Sequence, residues 1–277
     1  MTAYARLAGV EAGDGFPVRL VGAINVSPES FYAGSVASSE AALARLAEQM
    51  AAEGADLVDV GAMSTAPYLT TEIPEEEEAR RLASSIAVVR RVVSLPISAD
   101  TMRSGPARAA LEAGAQVIND VSGLRSDPRI ASLIATRAGG AILMASETSQ
   151  GAQEPVATVR ELLDQSLRAA RAAGVPEERV VLDPGIGFFR RAAIPWHAWD
   201  FAILRQLREL RVLGRPILVG LSRKSFIGHL LDRSNPADRL PGSLAATAVA
   251  VLNGAHLIRT HDVGVTRDAV RMAEALR

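Results

Sequence analysis

One lysine, Lys224, stands among thirty basic residues; the other 29 are arginine. In a chain that writes every other cation as a planar guanidinium, one compact ammonium suggests a position that wants a point charge. Asparagine is equally sparing (Asn25, Asn119, Asn235, Asn253), and so is histidine (His197, His229, His256, His261). Asn25, Asn119, Lys224 and His261 share a setting, because each closes or closely follows a short apolar run, as do Asp100, Asp183 and Arg259. Carboxylates beside a carboxamide suit the N–H-rich edge of a guanidine-like heterocycle. Arginine, histidine and an asparagine-held metal ion suit a leaving phosphate. Together they describe a site for a polar heterocycle that carries phosphate.

Each residue taken singly has a plainer reading. Asn25 or Asn119 could close a turn, Asp100 before Thr101 could cap a helix, and Asp183 before Pro184-Gly185 could form an Asx-turn. His261 and Asp262 could be a satisfied structural pair. The run Glu75–Glu78 after Pro74 reads as first-turn acids that complement a helix macrodipole. Convergence carries the functional inference, and convergence requires elements that bring these positions together.

Those elements are eight apolar runs of five to seven residues: 18–24, 56–60, 95–100, 116–120, 140–144, 179–183, 216–220 and 256–260. Nearly continuous Val, Ile and Leu is the signature of strands buried on both faces. Between them lie Ala/Arg/Leu/Glu stretches with helical spacing, closed by Gly54, Gly114, Gly139, Gly174 and Gly254 as helix C-caps. A helix-Gly-Ala-strand junction recurs at 54–61, 114–123 and 254–264. Eight such units over about 250 residues predict a (β/α)8 TIM barrel. A doubly wound sheet competes poorly, because GxGxxG is absent. The chain reads as one domain, 1–277, with residues 1–17 an N-terminal arm, either loose or a short hairpin. The irregular stretch 184–200 reads as an active-site loop. In a barrel, residues just past each strand form the catalytic face. These are Asn25, Ser27 and Ser30; Ser64 and Thr65; Asp100 and Thr101; Asn119 and Asp120; Met144 and Ser146; Asp183; Ser222, Arg223, Lys224 and Ser225; and Arg259, His261 and Asp262.

Composition narrows the class. The absence of cysteine excludes disulfides, thiolate metal sites and cysteine nucleophiles. A net charge of -1 and 4% aromatic residues argue against nucleic acid as a partner. No apolar run is long enough to span a bilayer and no signal-peptide core begins the chain. The expectation is a soluble cytoplasmic enzyme without a membrane partner.

The motifs INVSPESF (24–31), EGADLVDVGAMSTAP (53–67), ISADT (97–101), VINDVSG (117–123), VVLDPGIGF (180–188), PILVGLSRKSFIG (216–228), GSLAATAVAVLNGA (242–255) and IRTHDV (258–263) run in one order over nearly the whole chain. In that order they resemble the dihydropteroate synthases. The resemblance implies a TIM barrel, a homodimer, Mg2+ as cofactor, and coupling of 6-hydroxymethyl-7,8-dihydropterin pyrophosphate to 4-aminobenzoate with loss of pyrophosphate. It implies that Asp100, Asn119, Asp183 and Lys224 bind the pterin, with Met144 lining its pocket. Arg259 would stack on the pterin and reach the phosphates, His261 would bind pyrophosphate, and Asn25 would hold the metal. Phe188, Lys224 and Ser225 would form the aminobenzoate pocket, and Thr65 would contact substrate. Arg259, His261 and Lys224 would be the catalytic groups.

The chain departs from the family pattern at Ala33, Met63, Ala66, Ala145, Phe189 and Arg190. Ala33 and Ala66 stand where the family carries polar side chains in the loops that close over the reacting pair, while Phe189 and Arg190 add bulk and keep one positive charge on the acceptor side; the resemblance then implies slow or absent turnover of 4-aminobenzoate and poor sulfonamide binding. A larger or phosphorylated arylamine, as in methanopterin-type synthesis, could recover the lost energy through Arg190, Arg191 or Arg223. A catalytically weak pterin-binding protein is a further alternative. A Schiff-base aldolase using Lys224 as nucleophile is disfavoured by the SRKS context.

Overall fold

The computed structural model describes residues 2–27, 39–64, 72–147 and 151–277. Eight strands form one all-parallel sheet: β3 (Arg19–Asn25), β4 (Leu57–Gly61), β5 (Ile97–Asp100), β6 (Val117–Asp120), β7 (Gly140–Met144), β8 (Val180–Asp183), β9 (Leu218–Gly220) and β10 (Leu257–Thr260). Their spatial order is β8-β7-β6-β5-β4-β3-β10-β9. A bridge between Leu182 and Ile217 brings the β8 and β9 edges together, so the sheet curls into the expected (β/α)8 barrel. The helices between successive strands include α1 (Glu40–Glu53), α2 (Glu75–Val92), α3 (Ser104–Ala113), α4 (Arg129–Arg137) and α5 (Pro155–Ala172). They continue with α6 (Trp196–Arg205), α7 (Ser225–Leu230), α8 (Leu240–Leu252) and α9 (Val263–Ala275).

The eight apolar runs each contain their strand, within about two residues at either end. Strands wrapped by helices bury both faces: all five residues of β4 and of β7 are buried. Outward-facing residues pack on helices such as α2, whose Leu82, Ile86 and Val89 are buried. Inward-facing Val21, Leu57, Val117, Ile142, Val181, Leu218 and Leu257 form a separate apolar layer at the lower end of the barrel.

That layer is closed from below by the N-terminal segment. β1 (Tyr4–Leu7) and β2 (Val10–Gly13) pair as an antiparallel hairpin. Its two-residue turn, Ala8-Gly9, has φ of 47° and 98°, as a turn matched to strand twist requires. Ala5, Leu7 and Ala12 join the lower layer, all fully buried. Asp14 clamps the plug: one carboxylate oxygen accepts from Ala3 N at 2.8 Å, the other meets Arg211 Nη2 at 2.7 Å and His256 Nε2 at 3.3 Å. The segment is therefore the hairpin, not a loose arm.

Two local expectations need correcting. Gly54 and Gly114 are left-handed C-caps, and Gly174 and Gly254 lie one residue past theirs with φ of 83° and 98°. Gly139 is not a cap: α4 is capped by Ala138 in an extended conformation. Gly139 instead packs closely under the hairpin turn, where a Cβ would lie 3.1 Å from Ala8 Cα and force a small shift. The irregular stretch is also shorter than expected, because α6 begins at Trp196 and takes its last five residues.

Candidate functional site

Side chains on a strand alternate between faces, so the inward set continues upward from the apolar layer in steps of two. Leu57 leads to Asp59, Val117 to Asn119, Ile142 to Met144, Val181 to Asp183, and Leu257 to Arg259. Register agrees: Ala23 pairs with Asp59, Gly61 with Asp100, Asp100 with Asn119, and Met144 with Asp183. The lower barrel is apolar and its upper interior is polar. Asp120, on the opposite parity, turns away and accepts from Ser122 N and Leu124 N at 2.7 and 2.8 Å, so it shapes the next turn.

Arg259 organises one half of the upper interior. Its Nε donates to Asp59 Oδ2 at 2.7 Å and its Nη2 to Asp100 Oδ2 at 3.1 Å. Asn119 Nδ2 donates to the same Asp59 oxygen at 3.1 Å. Asp59 is fully buried, and sequence reasoning missed it although it holds the same next-to-last place in its run, 56–60, as Asn119 and Arg259 hold in theirs. The signal was available: Asp59 is two residues above an inward Leu57. Among the described residues, Asp59 Oδ1 and Asp100 Oδ1 are buried without a hydrogen-bond partner, which is costly unless a ligand or water supplies donors. Burial first, then the Asp59 charge, pushes the Asp100 carboxyl up to about 7.

Lys224 organises the other half. Burial lowers its ammonium to about 8, against the opposing pull of Asp183 and Asp200. Its Nζ donates to Ile186 O and lies 5.0 Å from the Phe188 ring centroid. Asp183 is raised by burial, opposed first by Lys224. One Asp183 oxygen accepts from Gly185 N at 2.8 Å, so the Asx-turn and the site role coexist. Gly187 and Gly220 keep space around the ammonium: their missing Cβ positions lie 3.7 and 4.0 Å from Nζ. Gly185 carries φ +72° and a Cβ there would strike Ala145 O at 1.9 Å, with Met144, itself buried, alongside.

Asn25 and His261 lie on the Arg259 side. Asn25 Oδ1 and Asp100 Oδ2 lie 3.7 and 3.6 Å from the position a Gly61 Cβ would take. His261 Nδ1 bonds Ala23 O at 3.0 Å, and burial lowers its pKa to about 4, so the ring is neutral at pH 7. Ser225 Oγ accepts from Arg190 Nη2 at 2.5 Å. The Arg190 guanidinium also covers the Trp196 ring at 4.1 Å. Thr65, Ser30, Ala33 and Ala66 lie outside the described residues.

Several expectations fail on side-chain direction. Phe189 does not crowd the site: it is buried and stacks on Trp199 at 4.6 Å. Arg223 cannot serve an acceptor, because its Nε and Nη2 grip both oxygens of Asp262 at 2.9 and 2.7 Å and its Nη1 holds Ala237 O at 2.7 Å. Asp262 therefore pairs with Arg223 rather than His261. Arg191 Nε donates to Glu147 at 3.2 Å. Of the three arginines proposed to reach an enlarged acceptor, only Arg190 stands beside Lys224, its Nη2 3.9 Å from the missing Gly187 Cβ. Glu78 is no surface macrodipole residue: it is buried and accepts from Thr101 Oγ1 at 2.6 Å and Arg103 Nη1 at 3.1 Å. Sequence reasoning also missed Asp200, fully buried in α6, which accepts from Gly187 N at 2.8 Å.

Among the described residues no helix is long and apolar enough to cross a membrane. Among them, too, no group of three His, Cys, Asp or Glu side chains is placed to hold a metal ion. Asn25 offers a single oxygen, which suits Mg2+ only where phosphate oxygens and water complete an octahedron.

The family described as Pterin binding enzyme matches residues 21–261. The chain is 38% identical over 275 residues to a dihydropteroate synthase of Mycobacterium leprae, covering 94% of this chain and 93% of that protein. The crystal structure of dihydropteroate synthase from Thermus thermophilus in complex with 6HMPPP is 39% identical, with TM-score 0.83 and full coverage of both chains. That of Xanthomonas albilineans with 4-aminobenzoic acid is 36% identical, with TM-score 0.87, covering 100% of this chain and 98% of that one.

Proposed function

Because this chain belongs to the dihydropteroate synthase family of pterin-binding enzymes, we propose that it joins 6-hydroxymethyl-7,8-dihydropterin pyrophosphate to 4-aminobenzoate and releases pyrophosphate. The observation that carries this reading is the inward ring of Asp59, Asp100, Asn119 and Asp183 facing Arg259 and Lys224, with Asp59 Oδ1 and Asp100 Oδ1 unpartnered among the described residues. A pterin presents an amino group and ring N–H groups along one edge. Carboxylate oxygens lacking donors recognise that edge, and Lys224 donates to a pterin acceptor atom. Such donors would also hold Asp100 in its charged form, against the burial that raises it.

The reaction breaks the bond between the pterin methylene carbon and the pyrophosphate oxygen and forms a carbon–nitrogen bond to the arylamine. The ring donates electron density to the methylene as the bond lengthens. Arg259 donates hydrogen bonds to the departing oxygens, where charge develops; His261, whose Nδ1–H is committed to Ala23 O, donates through Nε2 once the anion has drawn a second proton onto the ring. The amine attacks through its lone pair and then loses a proton, so no strong general base is needed. Asn25 is the residue that would hold Mg2+, and the ion, when bound, would neutralise charge on the pyrophosphate. Phe188, Lys224 and Ser225 would receive the aminobenzoate, with Arg190 fixing Ser225.

A cytoplasmic homodimer is part of the same proposal; exposed apolar Leu230 at the end of α7, Leu231 after it and Val249 on α8 support an interface between copies. The test is incubation of the purified protein with the pterin pyrophosphate, labelled 4-aminobenzoate and Mg2+. Labelled dihydropteroate with one pyrophosphate per turnover is expected. Absence of product over a range of protein and substrate concentrations would sink the reading.

A further inference from the structure

We propose that Asp200 is a positioning residue of the acceptor side, which pins the backbone at Gly187 and supplies a second carboxylate to the field in which Lys224 works. The proposal rests on the function assigned above for its kinetic meaning, and on geometry for the rest. Asp200 lies in the first half of α6, outside the ring of strand-end residues, yet it reaches the loop that follows β8. Its Oδ1 accepts from Gly187 N at 2.8 Å. Gly187 has φ +86°, a conformation other residues adopt only with strain, so the loop needs an external hold to keep that turn. The hold matters because three consecutive residues there serve the site. Ile186 O accepts from Lys224 Nζ, Gly187 O accepts from Arg190 Nε at 3.0 Å, and the Phe188 ring lies 5.0 Å from Nζ.

Backbone anchoring alone would be met by an asparagine. The second oxygen says more: Asp200 Oδ2 is buried with no hydrogen-bond partner among the described residues. A buried carboxylate with an idle oxygen is expensive, and what it supplies is charge. The groups that face it are Lys224 at the head of α7 and Arg190 in the loop. Those that face Lys224 are Asp183 of β8, Asp200 of α6, Arg259 of β10 and Arg190 of the loop. Two cations and the burial of Lys224 work against its charged form, while Asp183 and Asp200 work for it. Asp200 itself is raised by burial to about 6, so it is charged at pH 7. With Asp183 turned to the pterin, Asp200 is the carboxylate that keeps Lys224 cationic from the acceptor side.

Lys224 is the chain's one lysine, so protein grown on lysine labelled with 13C at Cε carries one labelled lysine signal. Its titration midpoint reads the ammonium directly, without substrate. Asp200→Asn keeps an oxygen for Gly187 N and removes the charge; the midpoint should fall by about half a unit or more. Asp164→Asn, on the exposed face of α5, is the control and should leave it in place. Asp200→Ala should lower the midpoint and also displace the Gly187 amide resonance. In turnover, the alkaline limb of kcat/KM for 4-aminobenzoate should move down in Asp200→Asn by the same interval. An Asp200→Asn midpoint identical to wild type overturns the proposal, even if Asp200→Ala fails to fold. If the wild-type protein makes no dihydropteroate, the functional reading fails while the lysine titration still decides the role of Asp200.

Discussion

The two ends of the barrel are built from the same strands and obey opposite rules. At the lower end, inward Val, Leu and Ile pack on Leu7 and Ala5 of the hairpin. The charges there are satisfied: Asp14 holds Ala3 N, Arg211 and His256, and His256 Nδ1 accepts from Ile217 N at 3.1 Å. Two residues higher on the same faces, Asp59 and Asp100 are buried with oxygens that no described group satisfies. The lower end is finished as a folded structure, whereas the upper end is finished only with a ligand present. Unsatisfied buried polarity is tolerated where function needs it and stability is supplied elsewhere.

The comparison breaks most visibly at its two arginines. Arg259→Met strips the cation from two buried carboxylates, and uncompensated charge of that kind costs about 3–5 kcal/mol. Denaturant unfolding should show that loss, together with the disappearance of turnover. Arg211→Met, at the lower end, leaves a partly exposed Asp14 with two other partners. It should cost about 1 kcal/mol or less and leave kcat unchanged. Equal losses from both variants would remove the distinction between the ends.

Stability and activity should separate in the opposite sense at Leu7. Leu7→Ala opens a cavity in the lower layer, for which about 2–5 kcal/mol is expected, while steady-state turnover at 25 °C stays at the wild-type value. A drop in kcat without a drop in unfolding free energy would mean that the hairpin communicates with the upper end. Asp59→Asn makes the reciprocal case. It removes one of the two carboxylates that hold Arg259, while Asp100 keeps its own contact, so the stability loss should be smaller than that of Arg259→Met. Affinity for the pterin pyrophosphate should fall by about ten- to a hundredfold, as calorimetry would read.

The same contrast explains what could be read from sequence. Eight buried strands announce themselves because helices cover one face and the barrel interior the other, which forces continuous apolar runs. Of the rim residues, Asp100 and Asp183 close such a run, and Asn119 and Arg259 stand one residue before the end of theirs. Asp59 holds that same next-to-last place in 56–60 and was missed, although stepping by two from Leu57 reaches it. Asp200, Glu78, Phe189 and Arg223 were misjudged for a different reason. Their side chains are aimed by helix phase or by loops at φ +86° (Gly187) and +55° (Arg223), and spacing along the chain carries no record of those turns. Arg223 and Lys224 are adjacent, yet one is locked to Asp262 and the other faces the site.

Two histidines at opposite ends of β10 give the finest form of the comparison. His256 precedes the strand and His261 follows it; burial lowers the pKa of both. A lowered histidine stays neutral in the folded chain while the unfolded chain takes up a proton below about 6.5. Each therefore contributes stability that is present above that pH and lost as pH falls toward the folded value, about 4 for His261. Asp100 has the opposite sign: raised to about 7, it contributes stability at low pH that is lost as pH rises through 7. A single stability profile would blur these, so the reading should come from the imidazole resonances themselves. In the free protein the His261 signal should remain that of a neutral ring down to pH 6, and the His256 midpoint should lie below its ordinary value. Adding pyrophosphate with Mg2+ places negative charge where the site is predicted to hold the leaving group, which favours a protonated ring. The His261 midpoint should then rise by about one unit, while His256, already bonded through both nitrogens to Ile217 N and Asp14, should not move. Movement of both resonances, or of His256 alone, would place the anion away from the upper end of the barrel.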